Sequence, residues 1–142
     1  MAAVRRLAVV VVAVLALAAC GGGGGGSSNA QEQIKNAYEQ FFSGKTSISN
    51  RVALLQNGQR YRQLVASFAS NPLAKNASAT VSSVTLQGPN KAHVVYVVKL
   101  GGTALPKQTG TAVREHGAWR IQATSLCRLV ALSGTTPAVC KS

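Results

Sequence analysis

The sequence predicts an α+β domain: N-terminal helices packed on a curved antiparallel sheet of four strands, with a short C-terminal helix or strand behind it. Two patterns carry this expectation. Apolar residues recur at helical spacing up to about Ala69, and at alternate positions from Thr80 onward. Their order adds a third point. Helices come first, then strands joined by short turn-forming stretches, which is the mark of a meander rather than of parallel crossovers.

The first helix is expected from Asn29, where Asn29 and Glu32 have capping-box spacing. Ile34, Ala37, Tyr38 and Phe41 share one face, and Gly44 is a natural stop. A second, short helix spans Arg51 to Gln56 and ends by Gly58. A third, from Gln59 to Ala69, carries Leu64, Val65 and Phe68 on one face, and Asn71-Pro72 ends it.

Thr80 to Gln87, rich in Val, Thr and Ser, reads as the first strand, and Gly88-Pro89-Asn90 as a turn. Lys91 to Leu100 alternates. Ala92, Val94, Tyr96, Val98 and Leu100 fall on one face, with Lys91, His93 and Lys99 on the other. Lys107 to Glu115 is the third strand, His116-Gly117 a two-residue hairpin turn, and Ala118 to Ala123 the fourth strand, with Trp119 and Ile121 facing one way. Leu126 to Leu132 fits a short helix or a strand. As a helix it would be capped by Thr124 or Ser125 and stopped by Gly134.

Ahead of the domain lies an address. Leu7 to Ala19 holds only Ala, Val and Leu and follows Arg5-Arg6. Thirteen apolar residues are short of the roughly 20 that cross a bilayer, and position and charge fit a signal peptide over residues 1–19. Arg5-Arg6 lacks the residues that would extend it into a twin-arginine export signal. Leu17-Ala18-Ala19-Cys20 resembles the lipobox of bacterial lipoproteins. That resemblance implies a diacylglyceryl group, with palmitate-type chains, on Cys20 and cleavage just before it. The plainer alternative is an ordinary secretory signal in which Cys20 is incidental. Residues 20–28, with six glycines and Ser27-Ser28, read as a tether spanning roughly 15–17 Å. A phosphate-cradling glycine loop would need a preceding strand and a spaced lysine, which are missing. Residues 29–142 then form one domain.

An exported chain with three cysteines leaves one over unless Cys20 is lipidated. Cys127 and Cys140 are then expected to pair and pin the tail 135–139. A redox or metal role for them would call for closer spacing.

The chain has no aspartate, and its acids are Glu32, Glu39 and Glu115. Paired-carboxylate hydrolysis is poorly supplied. A triad would draw on His93 or His116 with Glu115, yet His116 occupies the turn and His93 lies between lysines on the outer face. Metal binding lacks converging ligands. No enzymatic activity, cofactor or metal is expected.

The net charge is +12, from 15 basic and 3 acidic residues. Removing Arg5 and Arg6 leaves 13 basic residues, about +10. Export disfavours nucleic acid as the partner. The nearer polyanions are acidic lipids and phosphate-bearing wall polymers, met by Arg60, Arg62, Lys91, Lys99 and Lys107. A merely solvated basic surface is the plainer reading. Tyr38, Phe41, Phe42, Tyr96 and Trp119 would line a pocket if the sheet encloses one, and would otherwise be core.

Val52-Ala53-Leu54-Leu55-Gln56-Asn57-Gly58, Val81-Ser82-Ser83-Val84-Thr85-Leu86-Gln87 and His116-Gly117-Ala118-Trp119-Arg120-Ile121 resemble the low-molecular-weight antigen family of mycobacteria and related actinobacteria. The family's hairpin reads Gly-Gly-Trp, so Ala118 departs from it. The resemblance covers about Ala30 to Leu132. It implies a cystatin-like fold of the nuclear-transport-factor-two type and an exported, immunologically visible protein with no assigned activity. The whole reads as a lipid-anchored binding or interaction module on the outer face of the cell membrane. The alternatives are a carrier of a small apolar or lipid-like ligand and, behind it, a His–Glu enzyme.

Overall fold

The computed structural model describes residues 25–141. Cys20, the segment 1–19 expected to be a signal peptide and Gly21 to Gly24 lie outside the described residues. The fold is α+β, as the patterns predict. Its helices α1 (Gly25–Phe42), α2 (Ile48–Leu54) and α3 (Arg62–Ser70) precede strands β1 (Ser78–Leu86), β2 (Lys91–Leu100), β3 (Thr103–Ala104), β4 (Gln108–Glu115) and β5 (Ala118–Ile121). Helix α4 (Ala123–Ala131) follows. Short 3-10 turns occupy Gly58–Tyr61, Pro72–Asn76 and Ala138–Cys140.

The sheet is antiparallel in the order β1-β2-β4-β5, and the two-residue β3 pairs with the end of β2. Sequence alternation could not show β3, because two residues carry no period. A bulge between Val81 and Ser83 in β1 keeps Val81 and Val84 on the helix side. His116 (φ 51) and Gly117 (φ 78) both adopt left-handed backbone, as a tight hairpin turn requires. The chain after α2 meets the free edge of β5: Leu55 pairs with Ile121, and Gln56 N donates to Ile121 O at 2.8 Å.

Helix α1 lies in the concavity of the sheet. Ile34, Tyr38, Phe41 and Phe42 are sealed against Ala92, Val94, Tyr96 and Val98 of β2 and against Ile121 and Leu126. The buried members of this core all lie between Ile34 and Leu129.

Three local expectations need correction. Asn29 does not cap α1. The helix begins at Gly25, which takes in the last four tether residues, and Asn29 Oδ1 accepts from Gln33 one turn later. Gln31 Nε2 donates to Val84 O at 3.0 Å and ties this first part of the helix to β1. Helix α4 is preceded by Gln122, because the Ser125 hydroxyl is turned inward to Tyr38 instead of capping. Helix α1 does end at Phe42, just before Gly44, but not through a left-handed glycine. A Cβ on Gly44 would lie 2.1 Å from Lys75 O, so glycine is needed for close approach of two backbones.

Cys127 and Cys140 form a disulfide with Cα atoms 5.7 Å apart. It fastens the tail, which otherwise contributes no fully buried residue, back to α4. Closing a loop of this length stabilises by about 3 kcal/mol in the chain-entropy model. Reduction is therefore expected to lower the melting temperature by about 10–20 °C without dissolving the core, as followed by circular dichroism. An unchanged transition would show that the tail adds nothing.

Candidate functional site

The aromatic residues expected to line a pocket are instead the core. Tyr38, Phe42 and Tyr96 are fully inaccessible, Phe41 is 1 % exposed and Trp119 8 %. Their rings touch one another: Tyr38–Tyr96 at 4.9 Å, Phe41–Phe42 at 4.9 Å and Phe42–Tyr96 at 5.3 Å between centroids. The physical reason is the position of α1, which fills the sheet's concavity with its own aromatics.

One end of that core is polar. The Tyr38 hydroxyl donates to Thr111 O and shares a hydrogen bond with Ser125 Oγ, each at 3.0 Å. The Tyr96 hydroxyl has no partner of hydrogen-bond geometry, although Ser125 and Arg128 both favour its ionised form. Burial outweighs them and pushes the Tyr96 phenol up to about 12, and Tyr38 further still. Gly110 lies over this group. A Cβ there would fall 2.4 Å from Ser125 Oγ and 2.5 Å from Tyr38 Oη.

Of the concavities on the surface of the described residues, two stand out by their linings. The larger, about 870 Å³, lies between the α2–α3 connection and the β4–β5 hairpin. It is lined by Arg60, Arg62 and Arg120 together with Glu115 and His116. Asn57 (φ 53) and His116 are the two non-glycine residues with left-handed backbone among those described, and both line this groove. Such strain persists only where the surroundings enforce it, and it gathers at functional sites. Here Arg120 donates to Ala53 O, and Gln56 Nε2 donates to Glu115 Oε1 at 2.5 Å, so both walls are cross-braced.

The second concavity, about 390 Å³, is apolar. It lies where α3, α4 and the end of β2 converge, between Leu64, Phe68, Leu100, Leu105 and Leu129. Leu73 (55 % exposed) and Leu132 (51 %) are the large exposed hydrophobics of the described residues, and both stand at this cleft. Behind Phe68 lies Arg51, which is 1 % exposed, with its Cζ 5.4 Å from the centre of the Phe68 ring. Arg51 Nη2 donates to Ser43 O at 2.5 Å, while Nε and Nη1 have no partner. Burial lowers the pKa of this guanidinium.

Residues 27–137 match the family described as low molecular weight antigen MTB12, C-terminal domain. The chain belongs to this family. A search of curated proteins found no match. Membership of an antigen family marks a secreted or cell-surface protein. The family match spans both concavities in full and ends just before Cys140. No helix among the described residues is long and apolar enough to cross a membrane.

Of the five basic residues expected to meet an anionic surface, the fold brings two together. Arg60 and Arg62 share the groove with Arg120. Lys91 begins β2, whereas Lys99 lies next to its end at Leu100 and Lys107 stands just before β4. The rise of a strand puts Lys91 and Lys99 about 26 Å apart. Lys91, Lys99 and Lys107 are all exposed. Sequence reasoning missed Arg51 as a buried charge, because it sits among the polar residues of a helix of only seven residues. It also missed the apolar cleft. The one available signal was Leu73 and Leu132, which belong to no predicted amphipathic face.

Proposed function

We propose that this antigen-family protein is a non-enzymatic binding module, held at the outer face of the cell membrane by a lipid on Cys20. The observation that supports it best is the arginine-lined groove, built on strained backbone and cross-braced walls. Arginine forks suit the oxygens of phosphate and carboxylate, so the groove suits acidic lipid headgroups or phosphate-bearing wall polymers. The Glu115 carboxylate is engaged by Gln56, and His116 serves the turn; both assignments favour binding over catalysis. Only Gly21 to Gly24 separate Cys20 from the start of α1. Fully extended, that stretch reaches at most about 18 Å, so an anchored domain would stay beside the bilayer.

The test is co-sedimentation of the unit from Gly25 to the C-terminus with vesicles rich in anionic lipid. Binding is expected to fall steeply as salt rises, since the Debye length is about 8 Å at physiological strength. Near a bilayer each basic residue contributes about 1 kcal/mol. Reversing Arg60 and Arg62 to Glu is therefore expected to weaken binding more than tenfold, and reversing Lys91 and Lys99 to Glu noticeably less. Equal losses from the two pairs would remove the groove from the account.

A second reading is favoured by a separate observation. The apolar cleft, with its two exposed leucines, suits a carrier of a small apolar or lipid-like ligand.

A further inference from the structure

A buried charged side chain with two of its three nitrogens unpartnered stands one ring away from the apolar cleft. Arg51 is sealed from solvent, and its Nε and Nη1 are unsatisfied. Leaving a charge unpaired in the interior is destabilising, and nearly all buried polar groups in folded proteins find partners. The bond to Ser43 O accounts for Nη2 alone. Arg51 does serve the end of α1 through that carbonyl, but a neutral donor would do the same at lower cost.

The cleft has the opposite deficiency. Its lining is mostly leucine and holds no charged residue. Of its polar members Ser67, Asn71 and Ser133, Asn71 Oδ1 already accepts from Leu73 N and the Ser133 hydroxyl donates to Val130 O. Ligand sites of its size, by contrast, ordinarily combine an apolar wall with a few placed polar anchors. Phe68 belongs to both places. It lines the cleft, and Arg51 Cζ lies over its ring. Phe68 is partly exposed where it lines the cleft and is held on its inner side by an edge contact with Phe42 at 6.5 Å between centroids, so the cleft is the side toward which its ring can turn. Turning it would join the cleft to the unsatisfied N–H groups of Arg51.

We propose that the apolar cleft takes a long-chain monocarboxylate, with the acyl chain between α3 and α4 and the carboxylate paired to Arg51 once Phe68 swings aside. This rests on the carrier reading and deepens it. A single guanidinium matches a single negative charge. A phosphate monoester would bring a second charge into the same apolar surroundings with no cation to meet it. Phe68 acts as a positioning residue: in the empty protein it covers the guanidinium, and it yields to a ligand that supplies the missing acceptor.

The test compares dodecanoate with dodecanol on the unit from Gly25 to the C-terminus, by calorimetry. Dodecanoate is expected to bind at least tenfold more tightly than the alcohol. Leu105→Glu, which places a carboxylate in the cleft wall, is expected to abolish binding of both while leaving the circular dichroism spectrum unchanged. Arg51→Gln is expected to erase the preference for the acid and keep the binding of the alcohol. Should Arg51→Gln fail to fold, Phe68→Leu replaces it, with faster dodecanoate association expected because the cover over Arg51 is smaller. Equal affinity for acid and alcohol would overturn the role of Arg51 while the carrier reading stands. Failure of both to bind would overturn the two together. Dodecanoate binding that survives Leu105→Glu would place the acid elsewhere, in the arginine groove, and would also overturn the proposal.

Discussion

Gly58→Ala is expected to lower stability by about 3 kcal/mol or more, beyond the 1–3 kcal/mol of ordinary overpacking. Gly58 is buried, and a Cβ there would lie 1.9 Å from Val52 O, 2.8 Å from Val52 C and 3.1 Å from Val52 Cα. All three atoms are backbone of α2, so no side chain can turn away to make room. Relief would require the connection to lift off α2. That would stretch the bond from Gly58 N to Leu55 O (3.1 Å) and disturb Asn57, which holds its left-handed conformation between them. In a domain of about this size each kcal/mol moves the midpoint by roughly 4–8 °C, so a loss of about 15 °C or more is expected by calorimetry. Gly134→Ala is the control. Nothing lies within 4 Å of its Cβ position, and its φ of +87° carries the cost alone, about 1–2 kcal/mol. Similar losses in the two variants would show that α2 and the turn after it are not held as close as described. Because Gly58 also lines the arginine groove, this contact fixes one wall of the candidate site.

Tyr38→Ala is expected to cost about 3–5 kcal/mol, the range for removing a large buried aromatic. Tyr38 touches the Phe42 and Tyr96 rings and joins α1 to β4 and α4 through its hydroxyl. Tyr38→Phe separates the two contributions. It keeps the ring and removes the partner of Ser125 Oγ, while Thr111 O still accepts from Gln122 N, for about 1–3 kcal/mol. Ser125→Ala removes the same bond from the other side, so the double variant is expected to cost clearly less than the two singles added together. Additive losses in a denaturant series would contradict the shared bond.

Much of the fold was legible because its signals are periodic. The alternation in β2 gave both faces of the strand, and Ala92, Val94, Tyr96 and Val98 are all buried as expected. His116-Gly117 gave the hairpin, and Asn71-Pro72 the end of α3. The misplaced details are those decided by tertiary contact. Ser125 has the composition of a cap but is claimed by a tyrosine 87 positions earlier in the chain. Gly44 has the composition of a stop, yet it answers to Lys75. The candidate sites were less legible still. Charge count indicated an anionic partner, but only folding brings Arg120 beside Arg60 and Arg62 while keeping Lys91 and Lys99 at opposite ends of a strand. Aromatic spacing suggested a pocket, but whether α1 fills the sheet's concavity is a matter of three-dimensional packing. The apolar cleft is built from side chains of four separate elements, and no local pattern joins them.

The proposed lipid-anchored module would hold its ligand at the membrane face. Native mass spectrometry of the protein released from its own membrane tests it in one spectrum. The expected result is a chain starting at Cys20, heavier by a diacylglyceryl group and lighter by the two hydrogens of the Cys127–Cys140 disulfide, with part of the population retaining a bound lipid-like acid. A chain with an unmodified Cys20 and no retained ligand would contradict it.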